Sequence, residues 1–219
     1  MALTKFNYNS FNITPVASKA LAFNSGANGL TTASEGSMVL IKEQTASSSA
    51  TVDFVDGTSD VVLDNTYPIY VFKYINCHPA NDDVNFQVNF RDGSTAYDAT
   101  KMTTTINSHH DEADTNTDLS YSGSFDLDQS TGVQFLAEAT GNGNDECVSG
   151  ELTLFNPSST TFVKNFLAQT NNYYKDNFIM KFWVAGYCNV TAAIDGVQFT
   201  FESGNIDSGT IKMYGMKDS

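Results

Sequence analysis

The chain has 219 residues, 41% of them hydrophobic and 12% aromatic, with 11 basic side chains against 25 acidic ones and a net charge of −14. Sixteen Phe and ten Tyr supply the apolar area for a real core, so the chain is a folding one, while the acidic balance would repel a phosphate backbone and speaks against nucleic acid as a partner. Only 16% of residues are charged, which leaves the surface to Asn, Ser, Thr and Gly, a composition suited to contact with other β-proteins or with sugars. The opening MALTKFNYNS has no apolar segment behind a basic one, and no run approaches the ~18 apolar residues of a membrane span, so the expectation is a protein made in the cytosol without an export signal.

In chain order, residues 1–37 hold short apolar pieces broken by Asn-Ser-Gly and Asn-Gly turns and read as an extended N-terminal arm or edge segment. From Met38 the pattern becomes β-rich. MVLIKEQ and ATVDFVDG, separated by Ala46-Ser47-Ser48-Ser49, form a hairpin candidate. YPIYVFKYINC sets Ile69, Val71, Lys73 and Ile75 against Tyr70, Phe72 and Tyr74, both faces being largely apolar, and belongs in the middle of a sheet. In VNFQVNFRDG, Val84, Phe86, Val88 and Phe90 alternate strictly with Asn85, Gln87 and Asn89, the pattern of a half-buried strand. Residues 94–130 turn polar and include SHHDEADTNTD, which predicts a long loop of the kind that carries contacts on β-scaffolds. Short strands then resume at GVQFLAEA and continue to GTIKMYGM. Within them Phe162 to Tyr174 has some helical spacing, but its Asn and Thr residues favour a strand.

Residue types that carry chemistry are sparse. His109-His110-Asp111-Glu112-Ala113-Asp114 is the one concentration of metal-ligand types; a solvated acidic loop accounts for it, with a cation site at a loop tip or interface as the alternative. Asp126 to Gly132 resembles a calcium loop but has Thr131 where Gly is required and Ala137 where Glu is required, so a turn is the better account. Cys77, Cys147 and Cys188 are odd in number and widely spaced, which fits small buried hydrophobes better than disulfides or a metal site. Three histidines and no G-x-S-x-G elbow leave no basis for nucleophilic catalysis. The expectation is therefore a non-enzyme with no catalytic residues, no cofactor and no metal.

Two stretches bear a resemblance. The ending AIDGVQFTFESGNIDSGTIKMYGMKDS, and EQTASSSATVDFVDG with YPIYVFKYINCHPANDD, resemble β-sandwich virion structural proteins of tailed phages, notably those of marine bacteria and cyanobacteria. Together they cover about a third of the chain. The resemblance implies a capsid decoration, tail or tail-fibre component, commonly trimeric and located in the virion. The short chain, lacking an obvious shaft or heptads, favours a decoration protein or small tail component over a complete host-recognition fibre.

The fold expected is all-β, an antiparallel jelly-roll-like sandwich over 38–219 with the arm at 1–37 and the loop at about 94–130. Aromatic runs on both strand faces exceed what one sandwich hides, so copies of the chain or other virion proteins should cover some of them. Phe72, Tyr74, Phe182, Trp183, Met213 and Tyr214 are the candidate core or interface anchors. The rival reading is a glycan-binding or receptor-binding module, with the polar loop and exposed Tyr residues gripping a host surface glycan.

Overall fold

The computed structural model describes residues 37–217 together with Leu21–Phe23, Gly26 and Leu30–Thr32. The fold is all-β and antiparallel throughout. Strands β1 (Leu21–Phe23) and β2 (Leu30–Thr32) pair with each other in a two-stranded sheet; apart from Gly26 and Ser37, the rest of the expected arm lies outside the described residues. The main body comprises β3 (Met38–Ser49), β4 (Val52–Val55), β5 (Ile69–Pro79), β6 (Val84–Arg91), β7 (Lys101–Asp111) and β8 (Thr117–Tyr121). A 3-10 turn at Gly123–Phe125 follows, then β9 (Gln134–Thr140), β10 (Val148–Phe155), β11 (Lys164–Tyr174), β12 (Phe178–Cys188), β13 (Gly196–Phe201) and β14 (Ile206–Met216).

Hydrogen bonding links nine strands in the order β3-β14-β5-β10-β11-β9-β6-β13-β4. The two ends of this path meet, because Gln44 on β3 donates its Nε2 to the Asp53 carbonyl on β4 at 2.5 Å. The body is thus a nearly closed, barrel-like sheet. From β11 a branch of β12, β7 and β8 extends the same sheet outward. The interior is aromatic: Phe199 on β13 lies 5.9 Å from Phe72 on β5, 6.0 Å from Phe86 on β6 and 6.5 Å from Phe54 on β4. Tyr74 joins the same cluster, and its hydroxyl shares a hydrogen bond with that of Thr170 on β11, which satisfies the one polar atom that the ring brings inside.

Three expectations need correction. The proposed β3–β4 hairpin does not form: β3 pairs with β14, β4 pairs with β13, and the chain passes from one end of the sheet path to the other at Ala50 and Thr51. Strand β3 runs on through the serines that read as a turn, with Ala46 buried and Ser48 at a φ of 49°. The 94–130 stretch is not one long loop, because the 11 residues of β7 and the 5 of β8 form a hairpin within it. Thr and Ile populate β7, and their branched side chains favour extended backbone even where the segment is polar. Finally, β6 is buried on both faces, with Gln87 and Asn89 covered as well as Phe86 and Phe90.

Asn89 is covered because Lys101, itself fully buried, donates its Nζ to Asn89 Oδ1 and to the Ala99 carbonyl, both at 2.6 Å. These acceptors are neutral, so burial dominates and pushes the Lys101 ammonium down to about 8. The unfolded chain then holds a proton that the folded chain releases. The resulting penalty is fully present below about pH 8 and gone above the ordinary lysine value of 10.5. Cys77 and Cys188, pushed up to about 12 by burial, act in the opposite sense above the usual thiol range. Comparing the wild type with Lys101→Met isolates the lysine: between pH 7.5 and 10 the wild type should gain up to about 3 kcal/mol relative to the variant in urea titrations. A pH-independent difference would show that Lys101 is not the titrating group.

Candidate functional site

Register determines which side chains share a face. One outward row runs Leu40, Tyr214, Val71, Thr153, Leu167, Ala185 across β3, β14, β5, β10, β11 and β12. The next row carries Glu43, Lys212, Lys73 and Glu151 at one end, and Gln169, Trp183, Ile106 and Tyr121 at the other. The row beyond contains Lys181 and Leu119. Every exposed large hydrophobic side chain among the described residues lies on this outward face except Phe162 and Val163; Leu119 and Tyr121, on the edge strand β8, are 69% and 66% exposed.

The charges of this face are as unusual as its apolarity. Its three central rows carry the lysines 73, 181 and 212 against the glutamates 43 and 151, a slight positive excess in a chain of net −14. Four of the five are paired, Lys212 with Glu43 at 3.0 Å and Lys73 with Glu151 at 3.4 Å, and Lys181 stands over the Trp183 ring at 5.6 Å. Within these rows the charges nearly balance, and acidic groups appear at the border of the face, where Tyr121 donates to Asp126 and Glu112 lies beside Ile179.

Of the anchors expected from sequence, Phe72, Tyr74, Phe182 and Met213 point inward and are fully buried, so they are core. Trp183 and Tyr214 point outward onto the apolar face. Leu40, Leu167, Ile106, Leu119 and Tyr121 belong with them but do not stand out in the sequence, the last three because β7 and β8 have the polarity of a loop. The alternation of Met102, Thr104 and Ile106 with Lys101, Thr103 and Thr105 is the available signal.

The opposite face of the branch holds a cleft of about 410 Å³. Phe178 forms part of its floor, met edge-on by His109 at 5.4 Å and by Tyr174 at 5.7 Å. Asn107 and Ser120, joined at 2.9 Å, line it together with Glu138 from β9 and Asp176 from the β11–β12 turn. Burial raises the Glu138 carboxyl above its ordinary value, and nearby Asp83 adds to the shift.

The His109–Asp114 segment is divided by the pleat. His109 turns toward the cleft, His110 turns outward to Asp114 at 3.1 Å, and Asp111 caps the β7–β8 turn by accepting from the Thr115 and Asn116 amides. The Thr115 hydroxyl and these backbone donors hold the Asp111 carboxyl down at about 2. Among the described residues no group of three or more His, Cys, Asp or Glu side chains converges as a metal site would require, and no helix is long and apolar enough to cross a membrane. Cys77 and Cys188 are buried and Cys147 is half-buried. No family model, curated protein or solved structure matches the chain.

Proposed function

We propose that this chain is a non-enzymatic structural subunit, a jelly-roll-like sandwich that assembles as an oligomer, a trimer by preference, on the capsid or tail of a tailed phage. The outward face carries the reading. It gathers Leu40, Ile106, Leu119, Tyr121, Leu167 and Trp183, all exposed, on one side of the sheet, where a solitary chain would leave them in water. A face that exposes these side chains around a nearly neutral centre is suited to being covered there by another subunit.

Light scattering behind size exclusion on the full chain tests this directly. The expected mass is a small multiple of the 23.8 kDa chain. Leu167→Asp combined with Trp183→Asp should return monomers with an unchanged β-type circular dichroism spectrum. A wild type that stays monomeric at high concentration would overturn the assembly reading. Mass spectrometry of purified phage particles, in which the chain should be present at many copies, tests the virion assignment separately.

A further inference from the structure

The cleft beneath the β7–β12 branch is built differently from the outward face, and nothing in the assembly reading uses it. We infer that it is a binding site for a neutral saccharide, one or two sugar rings seated on Phe178 beside Glu138, Asp176 and Asn107. The volume of about 410 Å³ lies within the range of small-ligand clefts. Phe178 is half-buried, so its ring remains open to the apolar C–H face of a sugar, while Tyr174 and His109 hold it edge-on.

The polar groups select the ligand class. Glu138 and Asp176 have no ion-pair partner among the described residues, and no lysine or arginine lines the cleft. The nearest cation, Lys175 beside Asp176, is taken up by Asp83, so the two carboxylates disfavour phosphate, sulfate and uronate groups, and an apolar ligand would strand them without hydrogen bonds. Hydroxyl groups suit them, because each can donate to a carboxylate and accept from an amide such as that of Asn107. The raised carboxyl of Glu138 fits the same picture, since a partly dehydrated acceptor gains most from a hydroxyl donor. Cleft side chains occupy the inward rows of β7 and β12 and the apolar contact residues the outward rows, so subunit contact on one face leaves the other open.

The experiment uses the full chain and a panel of neutral sugars comprising glucose, galactose, mannose, N-acetylglucosamine and their short oligomers. Saturation-transfer NMR and calorimetry provide the readout. At least one sugar should bind with a Kd below about 10 mM, and Glu138→Gln and Phe178→Ala should each weaken it tenfold or more. Glu138→Gln preserves shape and charges nothing new, so it tests the site even if Phe178→Ala unfolds. Leu167→Asp, on the outward face, should leave sugar binding intact whatever it does to the oligomer. The inference is overturned if no member of the panel binds, if binding survives Glu138→Gln at full strength, or if the sulfated form of the best sugar binds equally well.

Discussion

Phe199→Ala should be the most destabilising single truncation in the molecule, by about 3–5 kcal/mol. The ring is fully buried inside the curled sheet, within 6.5 Å of Phe54, Phe72, Tyr74 and Phe86. Removing it opens a cavity bounded by four other rings, and close-packed aromatics held by three different strands cannot collapse into the gap without breaking register. For a chain of this size the loss corresponds to a drop in Tm on the order of 10 °C. Phe199→Leu keeps most of the volume and should cost less than half as much. Urea titrations of both variants check this. A Phe199→Ala variant within about 1 kcal/mol of the wild type would mean that the core is held together elsewhere. The contrast with Leu167→Asp is informative, since that substitution should change the association state and leave the free energy of monomer unfolding nearly untouched.

How far the sequence discloses this arrangement differs by element. Strands β5, β6 and β11 to β14 are legible as strands because period two is a local property, but the burial of both faces of β6, and which apolar face of β5 turns inward, are not. Strand partners are not local. The serines at 47–49 look like a turn between neighbours in sequence, yet β3 and β4 sit at the two ends of the sheet path and meet through the Gln44 side chain. The polar stretch around β7 misleads because hydrophobicity is a poor substitute for strand propensity. Its inward positions are Lys101, Thr103, Thr105 and Asn107, all buried and all polar, satisfied by partners such as Gln134 and Asn89 that lie far off in sequence. The apolar face is visible as an excess of aromatic and aliphatic residues, but which of them face outward depends on that same pairing. For the cleft, the sequence offers His109 and the acidic run, whereas Glu138, Asp176 and Phe178 reach it only through the β9 and β12 contacts.

Lys164→Met should destabilise the fold by about 2–4 kcal/mol, a direction that hydrophobicity alone would not give. Lys164 opens β11, pairs across to Cys188, and belongs to the inward row that continues to Lys101. It is fully buried without a carboxylate in contact among the described residues, and its Nζ donates to the carbonyls of Ser159, Val190 and Ala192 at 3.2, 2.6 and 2.5 Å. Burial lowers its pKa, so methionine, of similar length and uncharged, relieves a desolvation penalty. Against that, three carbonyls lose a charged donor at once, and hydrogen bonds to charged groups are the stronger kind. Three acceptors outweigh one desolvated ammonium, and the sign is a loss. Lys101, with two acceptors instead of three, should cost less on the same substitution. The damage should be local as well: the 189–195 segment is tied to the β10–β11 loop through the Ile194 amide and the Pro157 carbonyl at 2.8 Å, and hydrogen exchange at Ile194 should accelerate more than at the Phe199 amide in the core. A Lys164→Met variant as stable as the wild type, with Ile194 still protected, would show that these carbonyls find other donors and that the buried ammonium is dispensable.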